Sequence, residues 1–180
     1  MTGTFVAYPT SMPTAISKQP KEEYLLESAV RIAAKIHKGQ VDRFGHPFLL
    51  HVLHVITRGR DADERILGAL HDVLERSDLT VEDLRKKGFP DNVLIALTHI
   101  SRVPNEDYEG YIERVARDPL AVRVKVHDLA DKMDLRDVGE LSVADLKRYN
   151  RQLAAYQKLK RMATIIMAEI TLSSRVKKTV

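Results

Sequence analysis

His71 and Asp72 stand side by side in the apolar run "ILGALHDVLERSDLT", residues 66–80. Their neighbours Ile66, Leu67, Ala69, Leu70, Val73 and Leu74 are apolar nearly all round, so the pair is expected in a central, buried helix. A buried ionised carboxylate needs a cation or donors close by. A divalent metal meets that need and takes imidazole nitrogen and carboxylate oxygen together. Adjacent helical residues point about 100° apart, which lets both side chains reach one coordination sphere from neighbouring edges. A metal-free, hydrogen-bonded His–Asp pair fits the dipeptide equally well.

Two further stretches supply matching donors. "GHPFLLH" places His51 at the start of a helix, just after a Gly/Pro loop, and "VKVHDLADKMDLRD" places Asp128 in an apolar helix face with Val122, Val126 and Leu129. One His, one His–Asp pair and one further Asp on three helices make a mixed nitrogen and oxygen site. Such a site suits Mn²⁺, Fe²⁺ or Zn²⁺ with open positions for water.

Helices must position these donors. Leu25, Leu26, Ala29, Ile32, Ala33 and Ile36 repeat at helical spacing and predict a first helix over 22–38. Gly39, Gly45 and Pro47 break the pattern before helices over 48–58 and 63–75. Thr80 and Asp83 form the start signal of another helix, and Gly88 follows its end. Pro90 opens a helix over 91–101, and a further one spans 106–117. Asp118 caps, with Pro119 at the first position, a helix running to 137. Ser142 opens the longest, over 143–172. No alternating strand pattern appears. The expected fold is all-α, seven or eight helices packed orthogonally around one core over 21–175. Residues 1–20, with three prolines, are expected to form a flexible tail.

Composition narrows the class. The chain has 180 residues, 44% of them hydrophobic, which suits one domain. Its net charge of +4 suits an anionic substrate. It lacks a clustered basic helix, so no nucleic-acid partner is expected. There is no cysteine, which excludes disulfides, thiolate metal ligands and a cysteine nucleophile. No apolar run is long enough to span a bilayer, and no signal peptide is legible, so the expected compartment is the cytoplasm. The last helix has apolar residues enough for a homo-oligomer face, although core packing accounts for them equally well.

Four motifs in order carry a resemblance. "HKGQVDRFGHPFLLH", "LGALHDVLERS", "YEGYIERVARDP" and "VKVHDLADKM" resemble the motifs of HD-domain metal-dependent phosphohydrolases. Within that superfamily they are similar to the hydrolase domains of RelA/SpoT proteins and to stand-alone small alarmone hydrolases. The match covers about residues 24–150.

The resemblance implies His51, His71, Asp72 and Asp128 as metal ligands, with Asp131 a rival for the last place. It implies Glu75 as the residue that positions or activates the attacking water. Arg43 matches a nucleotide-contacting position, and a solvated loop charge is its equal alternative. Lys125 and Arg123 either meet phosphates or snorkel, and His37 supports the site. The implied reaction removes the 3′-diphosphate from a guanosine nucleotide with a divalent metal, Mn²⁺ foremost. No synthetase region has a counterpart here, so pyrophosphate transfer from ATP is not expected.

Three positions depart from the pattern. Arg76 stands where the family has a second acid, Lys132 where it has asparagine, and Val52 where proline is common. The first two bring cations to the site, which either weaken metal binding or hold extra phosphate. They also raise the alternative of a degenerate HD domain that binds a nucleotide or a partner without hydrolysis.

Overall fold

The apolar spacing of the first helix becomes one buried stripe, Leu25, Ala29 and Ala33, on α1 (Lys21–Ile36). The computed structural model describes residues 21–136 and 138–177, with side chains over 22–136 and 138–172. The expected tail at 1–20 lies outside the described residues. Within them seven more helices follow: α2 (Phe48–Arg58), α3 (Ala62–Leu70), α4 (Val81–Lys86), α5 (Asp91–Ile100), α6 (Tyr108–Val115), α7 (Pro119–Lys132) and α8 (Val143–Lys177). An isolated bridge between Val41 and Pro47 closes the loop after α1. The all-α expectation and the helix number are borne out.

α3 is the central element. It packs on α1, α2, α5 and α7, and Ile66, Leu67, Gly68, Ala69 and Leu70 are all buried. Gly68 permits the close approach of α2: a Cβ there would stand 3.3 Å from Val55 Cγ1 and 3.5 Å from the Ile56 backbone. This contact draws α2 and α3 together near the residues that carry chemistry.

Two helices stop well short of their expected ends. The third helix was expected to reach residue 75 but ends at Leu70, and 71–75 are turns. The Val73 amide donates to Leu70 O and the Arg76 amide to Val73 O, both three residues back. His71 Nδ1 donates to Gly68 O at 2.7 Å, and this side-chain bond competes with the helical ladder. α7 ends at Lys132 rather than 137. The amide of its C-cap, Met133, donates to Leu129 O, and the Asp134 amide turns back to Asp131 O.

The C-terminal end of α5 is closed by one arginine. Arg114 Nη1 donates to Thr98 O at 2.5 Å and His99 O at 2.9 Å, while Nη2 donates to Ser101 O at 2.8 Å. The same guanidinium grips Glu106 through Nε at 2.8 Å and Nη2 at 2.6 Å. Buried Tyr111 donates its hydroxyl to Ile100 O at 2.5 Å. Carbonyls that a helix terminus leaves without intrahelical donors are therefore satisfied by α6. No helix among the described residues is long and apolar enough to cross a membrane.

Removing Arg114 strands both the α5 carbonyls and the Glu106 carboxylate. Arg114→Leu is expected to lower stability by about 3 kcal/mol, read as a reduced urea midpoint at unchanged slope.

Candidate metal centre and its cavities

Three helical elements deliver the donors to one point. α2 brings His51, the turn after α3 brings His71 and Asp72, and α7 brings Asp128. His51 Nε2 and His71 Nε2 lie 3.3 Å apart, and His71 Nε2 is 3.4 Å from Asp72 Oδ2. Ligand atoms of His51, His71 and Asp72 all fall within 4.8 Å of one another, the spacing of a set that can hold a metal ion. Asp128 Oδ1 sits beside them, 3.1 Å from His51 Nε2 and 3.7 Å from His71 Nε2.

Both imidazoles are held from behind. His71 Nδ1 donates to Gly68 O, and His51 Nδ1 donates to Asp131 Oδ2 at 2.7 Å. With Nδ1 carrying the proton in each ring, the Nε2 lone pairs face each other across the same small space, as a shared cation requires. Asp131 is thus bonded to the far nitrogen of His51. It is held there by His54 Nδ1 at 3.0 Å and Arg58 Nη1 at 2.9 Å, both on its other oxygen. His37 supports the same wall: its ring packs 5.0 Å from that of Phe48, which in turn packs 5.3 Å from that of His51.

Asp128 is the electrostatic focus. It is 0% exposed. Lys125 Nζ lies 2.7 Å from Oδ2 and Lys132 Nζ 2.7 Å from Oδ1. Neither ammonium, nor His51, is aligned for a regular hydrogen bond, and both oxygens are left without one. Burial opposes ionisation of Asp128, but Lys125 and Lys132 outweigh it and hold the carboxyl well below the usual range. Burial likewise opposes ionisation of Asp72, and His71 and Lys132 hold it well below. Burial would lower His51, yet the carboxylates of Asp128 and Asp131 beside it raise it. Burial would also lower Lys125 and Lys132, and Asp128 keeps both raised, Lys125 strongly. The Asp128 oxygens, without a regular hydrogen bond, and two converging imidazole lone pairs make a donor set that fits a divalent cation.

Two cavities open on this centre. The larger, about 510 Å³, is lined by His51, Arg43, Arg76, Lys132 and Arg148 against the apolar Phe44, Phe48, Leu50 and Leu135. The smaller, about 260 Å³, is lined by Asp72, Glu75, Arg102, Lys125, Lys132, Tyr108 and Arg151. Lys132, Arg148 and Gln152 belong to both walls. Glu75 accepts the Arg102 amide at 2.8 Å and so stands in the smaller cavity with Asp72. Arg76 lies in the larger one, its guanidinium 3.8 Å above the Phe48 ring and its Nη1 donating to Gln40 Oε1 at 3.3 Å. Arg43 pairs with Asp145, in the first turn of α8.

Sequence reasoning gave no role to Arg102, Tyr108, Arg148, Arg151 or Gln152. The last three lie on α8, whose polar residues show no distinctive spacing that marks a lining face. Arg123 and His127, in contrast, turn away from the centre toward Glu64. Arg123 Nε donates to Glu64 Oε1 at 2.6 Å, and His127 Nε2 is 3.4 Å from Oε2. Glu64 is on α3, so this buried cluster pins α3 to α7 and sets Asp128 opposite His71.

No family model matches the chain. A guanosine-3′,5′-bis(diphosphate) 3′-pyrophosphohydrolase of Aquifex aeolicus (strain VF5) is 25% identical over 130 residues, covering 66% of this chain and 18% of that protein. A GTP pyrophosphokinase of Streptomyces coelicolor is 30% identical over 121 residues, covering 60% of this chain and 14% of its own length. The chain therefore spans less than a fifth of these curated relatives. A solved structure of a metazoan ortholog of SpoT, which hydrolyses ppGpp and plays a role in starvation responses, superposes with a TM-score of 0.63 at 19% identity. It covers 91% of this chain and 98% of its own. The fold is that of the SpoT-type hydrolase, and the resemblance to RelA/SpoT hydrolase domains is borne out.

Glu64 gives the α3–α7 pin a pH dependence. Burial would raise its carboxyl, but bonds from His127, the Arg60 amide and Arg123 lower it from 4.5 to about 2. Its stabilisation is full above the unfolded value of 4.5 and is lost as pH falls from there toward 2. Glu64→Gln is expected to lose roughly 3 kcal/mol in urea unfolding at pH 7, with the gap to wild type closing toward pH 2.

Proposed function

We propose that the protein is a cytoplasmic, metal-dependent phosphohydrolase whose substrate is guanosine 3′,5′-bis(diphosphate), from which it removes the 3′-diphosphate as pyrophosphate. The observation that carries this reading is the convergence of His51, His71, Asp72 and Asp128 between two cavities whose walls include several cations. Those four side chains are the ligands, and Asp131 orients His51 from behind. The mixed nitrogen and oxygen set favours Mn²⁺, with Fe²⁺ or Zn²⁺ as alternatives. A divalent cation bound there supplies Lewis-acid activation of water and neutralises charge at the phosphate.

The protein groups divide the remaining work. Glu75, fixed by the Arg102 amide, takes the proton of the water that attacks phosphorus as the bond to the 3′-oxygen breaks. Arg43, Arg76 and Lys132 bring positive charge to the larger cavity, where diphosphate groups need it. Phe44 and Leu50 offer an apolar wall to the nucleoside. The activities for which the Aquifex and metazoan relatives are named favour this substrate over other nucleotides.

A second reading rests on Lys132 against Asp128 and Arg76 over Phe48: a domain that binds the nucleotide without hydrolysing it. One experiment separates the two. The purified chain with Mn²⁺ and guanosine 3′,5′-bis(diphosphate) is expected to release pyrophosphate. Binding by calorimetry with no product favours the second reading; neither binding nor turnover sinks both. His71→Ala is expected to abolish turnover and bound manganese together. Asp131→Ala is expected to weaken Mn²⁺ affinity about ten- to a hundredfold while leaving the ligands in place.

A further inference from the structure

Lys132 stands on one of the proposed donors. Asp128 and Lys132 are four residues apart on α7, so one helical turn carries the ammonium to the carboxylate. It meets Oδ1, at 2.7 Å. That oxygen is also the one turned toward the centre, 3.1 Å from His51 Nε2 and 3.7 Å from His71 Nε2. Oδ2 belongs to Lys125, at 2.7 Å.

The two lysines are held differently. Lys125 is buried, with Nζ 4.9 Å over the Tyr111 ring. Lys132 is 30% exposed at its side chain and lines both cavities. Packing fixes the first, whereas open space beside the second lets its flexible stem swing away.

We propose, on the reading of His51, His71, Asp72 and Asp128 as metal ligands, that Lys132 is a displaceable internal counter-ion. Its ammonium neutralises Asp128 Oδ1 in the metal-free chain, and a divalent cation displaces it into the cavities in order to engage that oxygen. Ammonium and metal ion cannot share the oxygen, because two cations at this range in a poorly solvated site repel strongly. The residue at 132 therefore sets metal affinity. A charged one keeps the empty site compensated and weakens binding; an uncharged one leaves Asp128 with a single ammonium and strengthens it.

The test compares the wild-type 180-residue chain, Lys132→Met and Lys132→Arg after removal of metal by chelator and dialysis. The dissociation constant for Mn²⁺ is measured by competition with a fluorescent chelator, and melting temperatures with and without Mn²⁺. Lys132→Met is expected to bind Mn²⁺ at least about tenfold more tightly, with Lys132→Arg close to wild type. Without metal, Lys132→Met is expected to melt below wild type, and Mn²⁺ is expected to raise its melting temperature by the larger amount. Lys132→Gln, which keeps a donor for Asp128, makes the same comparison should the Met variant fail to fold. Equal or weaker Mn²⁺ binding by the uncharged variants overturns the counter-ion role and leaves the metal centre standing. No Mn²⁺ binding by any of the chains overturns the metal reading, and the counter-ion role with it.

Discussion

A negative charge buried at Asp128 is the constraint on which the rest of the molecule depends. An isolated carboxylate in an apolar interior is too unfavourable to persist, so every element near it must supply compensation. α7 supplies two lysines, one turn to either side. α2 and the turn after α3 supply imidazoles. The Glu64–Arg123–His127 cluster keeps α3 and α7 in the register that makes these encounters possible. Gly68 keeps α2 close enough to α3 for His51 to reach His71.

The same requirement shapes the surroundings of the centre. His51 opens on the larger cavity and Asp72 on the smaller, with Lys132, Arg148 and Gln152 between them. A phosphorylated ligand spanning that partition would meet cations on both sides and apolar surface on one. Arg76 and Lys132 are the two cations by which the sequence departs from the motifs it resembles. One has an aromatic ring beneath it and the other a carboxylate, so each added charge has a local partner.

Most helices were legible because their cause is local. The stripe at Leu25, Ala29 and Ala33, the Thr80–Asp83 capping box and Asp118 before Pro119 act within a few residues of themselves. The end of the third helix was not legible. It depends on His71 Nδ1 turning back to Gly68 O, and nothing in the apolar run signals which acceptor the ring will choose. The choice between Asp128 and Asp131 was also closed to spacing. Three residues apart on one helix, they face nearly the same way, and only the position of α2 puts Asp131 behind His51.

By itself, then, the sequence determined an all-α chain with two His–Asp dipeptides and a lone histidine at spacings similar to those of RelA/SpoT hydrolase domains. Residue type and short-range periodicity suffice for that. Tertiary structure set the actual neighbours of the two dipeptide histidines: His71 meets His51, while His127 turns to Glu64. It also decided that Lys132 rests on Asp128 and that Arg43 is engaged by Asp145. Those outcomes depend on the approach of α2, α3, α7 and α8, and long-range packing of that kind has no signature in the spacing along any one of them.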